Sequence, residues 1–124
     1  MIAVAIVNQK GGVGKTTSAV TLAHGLALRN HKTLLLDLDA QGNVADCLGL
    51  PSGGDLYRLL FPGIQEPFSK VITPSGRKNL SVIRSDKTTT NLKIALGSVE
   101  LREYVLDDLI TGLDFDVIIM DCAP

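Results

Sequence analysis

The stretch Lys10-Gly11-Gly12-Val13-Gly14-Lys15-Thr16-Thr17 constrains this chain more than any other. An apolar run from Ile2 to Val7 precedes it and reads as a buried strand, and residues 16–29 after it carry helical periodicity. A strand, a glycine-rich turn and a helix start, in that order, make a cradle for phosphate. Glycines let the backbone turn several N–H groups toward one point. The helix start adds unsatisfied N–H groups and the positive end of its dipole. In such a cradle Lys15 supplies a full charge for the outer phosphates of a nucleotide, and the Thr16 hydroxyl is placed to ligate Mg²⁺.

Downstream residues extend this site. Thr33 to Asp39 reads as a second strand, continuously apolar until it ends in Asp37 and Asp39. Alternation along a strand puts those two carboxylates on one side. Ligands in open parallel sheets bind beyond the carboxyl ends of the strands, so both aspartates belong near the phosphate loop. A Mg²⁺ between them and the phosphates removes their mutual repulsion. Phe115 to Asp121 reads as another strand, four apolar residues ending in aspartate. Asp121 is placed either to hold a water on Mg²⁺ or to meet Thr16.

The remaining segments read as scaffold. The helix over 16–29 sets Ala19, Leu22, Ala23, Leu26 and Ala27 on one face, with Asn30 as a left-handed cap. Short helices are predicted over 44–50 and 55–61, and Val71-Ile72 as a brief strand. Leu80 to Arg84 is a third parallel strand. A helix is expected over 91–96, and a second, capped by Ser98, runs to about Ile110 with Leu101, Val105 and Leu109 toward the sheet. Gly112 suits its end. Tyr57, Phe61 and Phe68 read as local core. His24 and His31 read as a helix-face and a loop histidine, since neither has a partner at metal or triad spacing.

Composition agrees. The 124 residues allow one domain, and 45% hydrophobic content with 4% aromatics suits an aliphatic parallel-sheet core. The net charge of −1 gives no basic footprint for nucleic acid, and Lys78, Arg84, Lys87 and Lys93 are scattered. Cys47 and Cys122 lie far apart with no metal spacing and read as reduced thiols, Cys122 as a small buried residue. No run is long enough to span a membrane. The fold class expected is α/β: a mainly parallel sheet with helices on both faces.

Three strings carry a family resemblance. Lys10 is a second lysine inside the loop, and Gln9 stands where the ordinary Walker A pattern has glycine; the resulting K-G-G-x-G-K-T resembles the deviant Walker A of the ParA/MinD ATPases. Asp37 to Asn43 resembles the D-x-D-P-Q-G-N string of ParA-type partition ATPases, with Ala40 in place of proline. Asp121-Cys122-Ala123-Pro124 resembles their Asp-Cys-Pro-Pro. The resemblance covers essentially the whole chain, yet the chain is about half of a typical family member, as if cut after the Walker B strand.

The resemblance implies a P-loop fold that binds ATP and Mg²⁺ and hydrolyses ATP as a nucleotide-sandwiched homodimer. Gly11, Gly12, Val13, Gly14, Lys15, Thr16 and Thr17 would hold the nucleotide together with Lys10, which would also reach the partner's phosphates. Asp39 would orient the attacking water. Asp37 would lie near the metal through water, and Thr16 and Asp121 would hold the metal. Turnover would be slow and quickened by a ParB-like activator. DNA would be bound without sequence preference through a C-terminal half beyond residue 124. The setting implied is cytoplasmic and nucleoid-associated, away from membranes, and no DNA-reading domain is expected before residue 1. The alternatives are a MinD-like or other deviant Walker A ATPase, or a truncated remnant that binds nucleotide without turnover. Gln9 and Gln41-Gly42-Asn43 argue against a MinD-like or nitrogenase-iron-protein-like member. A parallel sheet ending here leaves a long apolar edge unpaired, which predicts self-association. Sedimentation at micromolar concentration tests it: assemblies are expected, and a sharp monomer contradicts it.

Overall fold

The computed structural model describes residues 1–10, 14–97, 99–110 and 112–124. Gly11, Gly12 and Val13, expected in the phosphate loop, and Ser98, expected as a helix cap, lie outside the described residues.

The continuous apolar runs over Thr33–Asp37 and Val117–Asp121 became interior strands. The run from Ile2 to Val7, expected as a buried strand, lies instead at the sheet edge with Ile2 and Val7 exposed, because it is paired on one side alone among the described residues. Strands β1 (Ile2–Ile6), β2 (Thr33–Asp37), β3 (Thr73–Pro74), β4 (Leu80–Ile83) and β5 (Val117–Asp121) form one sheet in the order β1-β5-β2-β4-β3. All neighbours run parallel except β3, which pairs antiparallel with β4. Helices are α1 (Lys15–Leu28), α2 (Asn43–Leu48), α3 (Asp55–Leu60), α4 (Phe68–Val71), α5 (Thr88–Ala95) and α6 (Leu101–Ile110). Leu34 and Leu36 of β2 and Ile118 and Met120 of β5 pack with the apolar residues of α3 to α6. Leu35 and Ile119, between them in sequence, pack on the other face against α1 and α2. Both faces are therefore covered, and each buried leucine contributes about 1.5–3 kcal/mol.

Helix α1 meets the sheet through Ala19, Ala23 and Ala27, all buried, while Leu22 is exposed. Leu22 thus departs from the expected face; small alanines at every fourth position set a close helix–sheet approach, and Leu22 lies to one side of that stripe. The helix ends as its sequence implies. Asn30 has φ 66, its N–H bonds the Ala27 carbonyl at 3.0 Å, and the His31 N–H bonds the Leu26 carbonyl at 3.1 Å. Leu101, Val105 and Leu109 of α6 are buried as their spacing requires. Tyr57 stacks on Phe61, and Phe68 meets Phe115 edge-on, beside the same core.

Two expectations change. Val71 closes α4, and the brief strand is Thr73–Pro74, at the sheet edge where proline's missing donor does no harm. Arg84 is no scattered surface charge. Its Nε and Nη2 donate to Asp55 Oδ2 and Oδ1 at 2.8 and 3.0 Å, and its backbone N–H donates to Oδ2 at 3.0 Å. Thr73 Oγ1 donates to the same carboxylate at 2.9 Å, so Asp55 ties α3 to β3 and to the residue that follows β4. Burial pushes the Asp55 carboxyl up, but the Arg84 side-chain and backbone hydrogen bonds outweigh it and hold it below its ordinary value. A depressed carboxyl stabilises the fold above the ordinary carboxylate range, and that contribution is lost as pH falls through the lower folded value. Asp55→Asn is expected to cost roughly 3 kcal/mol at pH 7, because it strands the Arg84 charge. Urea unfolding of both proteins at pH 7 and below pH 4 checks this; the gap between them should shrink at the acid end.

Candidate functional site

The chemistry gathers at the carboxyl ends of β1, β5 and β2. Gly14 opens α1 in a left-handed conformation, φ 79, and no side chain caps that helix. No acidic residue lies in its first turn either. An uncapped helix start without an acid is suited to an external anion. The first intrahelical bond runs from the Ser18 N–H to the Gly14 carbonyl at 2.9 Å.

Asp121 ends β5 directly opposite this helix start. Its Oδ1 accepts from Lys15 Nζ, and its Oδ2 accepts from Thr16 Oγ1 at 2.7 Å. Two strings 105 residues apart thus converge on one carboxylate that is fully buried. Of the two placements open to Asp121, the structure displays the contact with Thr16.

Asp37 and Asp39 part company. Strand β2 stops at Asp37, so the alternation expected to align them does not reach Asp39. Asp37 is fully buried; its Oδ1 accepts the Asp39 N–H at 3.0 Å and its Oδ2 the Val44 N–H at 3.4 Å. It therefore spans the turn between β2 and α2 and clamps both ends. Asp37 also stands in register with Asp121 on the neighbouring strand. Burial pushes its carboxyl up to about 7; the Asp39 N–H opposes this and the Asp121 charge adds to it. Asp39 instead lines an open cleft of about 620 Å³, together with Lys10, Gly14, Lys15, Thr16 and Thr17.

The turn between β2 and α2 is fixed by one glycine. Gly42 has φ 67, and a Cβ there would lie 2.7 Å from the Ser85 carbonyl oxygen. Both the positive φ and the contact exclude a side chain. Helix α2 then presents Asn43, Asp46 and Cys47 to the cleft while burying Val44, Ala45 and Leu48. Sequence reasoning assigned no chemistry to Asp46 or Cys47. The signal was available: polar residues at i, i+3 and i+4 form one helical face. Both cysteines are free thiols; Cys122 is buried, and burial raises its thiol, so it stays protonated.

The residues fit a phosphate chain and a hard cation. Lys10 and Lys15 and the open end of α1 face one cleft, and the Thr16 hydroxyl and Asp121 carboxylate are the oxygen donors that Mg²⁺ prefers. Among the described residues no helix is long and apolar enough to cross a membrane.

Comparison with known proteins agrees with this geometry. The family model described as AAA domain matches residues 1–124. The chain is 36% identical to the chromosome partitioning protein ParA of Myxococcus xanthus (strain DK1622), over 98% of this chain and 44% of that protein. It is 38% identical to the chromosome-partitioning ATPase Soj of Treponema pallidum (strain Nichols), over 95% of this chain and 47% of that one. Among solved structures, cobyrinic acid a,c-diamide synthase from Mycobacterium smegmatis with bound ADP and magnesium superposes with a TM-score of 0.83 at 28% identity, covering 98% of this chain and 51% of that one. The chain thus spans about half the length of the proteins it matches.

The elevated Asp37 carboxyl has a measurable consequence. A raised folded value means the fold holds a proton that the unfolded chain releases, so stability falls as pH rises from about 4 to about 7. At about 1.4 kcal/mol per tenfold change in proton affinity, ionising Asp37 costs the fold on the order of 4 kcal/mol. Without added ligand, the melting temperature is expected to drop between pH 5 and pH 8, and Asp37→Asn is expected to flatten that slope.

Proposed function

This chain belongs to the AAA domain family and is ParA/Soj-like within it, and on that premise we propose that it binds ATP with Mg²⁺ and hydrolyses ATP to ADP and phosphate. One observation carries the reading: Lys15 and Thr16 at the start of α1 meet Asp121 at the end of β5. A loop lysine, a hydroxyl and a buried carboxylate gathered beside an uncapped helix are the groups that a metal-bound phosphate chain engages. The synthase that shares the fold holds ADP and magnesium, which supports the same ligand class here.

The roles proposed for the residues follow from their places. Lys15 and the N–H groups at the start of α1 bind the outer phosphates, with Gly11, Gly12, Val13, Gly14 and Thr17 completing the loop. Thr16 and Asp121 hold Mg²⁺, which when bound neutralises phosphate charge. Asp39, intermediate in exposure on the cleft wall, orients the water. Asp37 keeps Asp39 in place through the turn it clamps. Lys10 is exposed at the cleft, where it is free to reach a second copy's phosphates across a homodimer. The partition relatives extend the proposal to the whole protein: a cytoplasmic, nucleoid-associated ATPase quickened by a ParB-like activator, with DNA contacts contributed by chain beyond these residues.

Calorimetric titration of ATP·Mg²⁺ into the chain tests the reading. Wild type is expected to bind, and Lys15→Ala to lose at least about tenfold in affinity, as removal of a charge-assisted contact costs. Lys10→Ala should still bind but release no phosphate. Absence of binding by wild type overturns the reading, and binding without turnover in wild type reduces it to a nucleotide-binding role.

A further inference from the structure

The turn that carries Asp39 is held from two directions. From within, the Asp39 N–H donates to Asp37 Oδ1, the Gln41 N–H to Asp39 Oδ1 and the Gly42 N–H to the Asp39 carbonyl, each at 3.0 Å. These bonds set the shape of the turn and point one carboxylate oxygen, but each joins close neighbours in sequence. Beyond Asp39 the turn meets another part of the sheet at Gly42. That residue is buried against the junction between β4 and α5, so closely that a Cβ would lie 2.7 Å from the Ser85 carbonyl oxygen. The Ser85 carbonyl is itself aimed. The Ser85 and Thr89 hydroxyls, both fully buried, hydrogen-bond each other at 2.5 Å. On the flanks, the Leu56 N–H bonds the Arg84 carbonyl and the Thr89 N–H the Asp86 carbonyl, both at 3.0 Å. A buried hydroxyl costs stability unless paired, and a hydroxyl pair adds no apolar burial, so packing alone does not account for these two. What the pair supplies is direction: it ties Ser85 to α5, and with it the peptide whose oxygen meets Gly42.

We infer that Ser85 and Thr89 are positioning residues for Asp39; this rests on the hydrolysis reading above. Their hydroxyl pair holds the Ser85 carbonyl as a stop behind Gly42. The stop sets how far the turn reaches into the cleft, and with it the carboxylate proposed to orient the water. The phosphate cradle is built elsewhere: Lys15 and Thr16 lie on α1 and Asp121 on β5, and β2 separates β5 from β4. The pair therefore serves the chemical step and leaves nucleotide affinity alone.

The test compares wild type with Thr89→Val, Thr89→Ser and the double variant Ser85→Ala/Thr89→Val. Phosphate release at varied ATP·Mg²⁺ gives kcat and KM. Amide exchange by NMR, without ligand, follows Asp39 and Gly42, with Ser18 of α1 as the reference. In Thr89→Val, kcat is expected to fall at least about tenfold, since a misplacement of ~1 Å costs about a hundredfold. KM should stay within about twofold, because the interaction lost serves the chemical step. The Asp39 and Gly42 amides should exchange several times faster, with Ser18 unchanged. Thr89→Ser keeps the hydroxyl and should restore both readouts. The double variant removes both hydroxyls and leaves neither unpaired, so it should fold as stably as wild type and still show the low kcat. Wild-type kcat in the double variant, a Thr89→Ser that behaves as Thr89→Val, or a parallel rise in KM overturns the inference. If wild type releases no phosphate, the hydrolysis reading falls by itself and exchange decides: unchanged Asp39 and Gly42 amides overturn the stop, and faster ones uphold it.

Discussion

The carboxylate at the end of β5 is the constraint on which the rest of the site depends. β5 lies between β1 and β2, so its last residue sits where the strand leading into the phosphate loop and the strand leading into the Asp39 turn come closest. Parallel pairing puts all three strand ends on one side. The Leu38 N–H bonds the Asp121 carbonyl at 2.9 Å, and the Cys122 N–H bonds the Ile6 carbonyl at 3.2 Å, so the ladder continues just past Asp121 on both sides. The side chain is therefore aimed by backbone hydrogen bonds on both flanks. Its two oxygens then join the helix start to the sheet. A shift in register of any of these strands would separate the loop from the acid.

Much of this was legible in the residues, for a physical reason. The phosphate loop is local: its glycines, lysine and hydroxyls act within one turn of chain, so their spacing alone describes them. Interior parallel strands are apolar on both faces, and the runs over Leu34 to Leu36 and Val117 to Met120 announce themselves without any periodicity. Asn30 marked the end of α1 because few residues adopt a left-handed conformation readily.

What stayed hidden depends on contacts distant in sequence or on a change of backbone direction. Asp55 and Arg84 are 29 positions apart, and nothing near either one signals the other. Asp55 looked like a helix-start acid and Arg84 like one basic residue among several. A strand of two residues containing proline has no pattern to read, so β3 was displaced to Val71-Ile72. The different fates of Asp37 and Asp39 turn on where β2 stops. A one-dimensional alternation rule continues until told otherwise, whereas the chain bends as soon as Asp37 can collect N–H groups from its own turn. The Gly42 contact with Ser85 is likewise invisible until β4 has been placed beside β2.

The strand order also governs when this site can exist during folding. β1 comes first in sequence, but among the described residues it pairs with β5, the last of these strands. β2 and β4 pair over a shorter span, and closing the longer loop costs more chain entropy. The hairpin-like contact of β3 with β4 is the most local of all. Assembly thus favours the flank of the sheet remote from the phosphate loop, and long-range parallel pairing is intrinsically slow. On a ribosome the first strand waits, apolar and unpaired, until nearly all of the present chain has emerged. The apolar segment Ile2–Val7 therefore pairs late, and because Ile2 and Val7 stay exposed even in the finished sheet, it is a segment on which a holding chaperone would act.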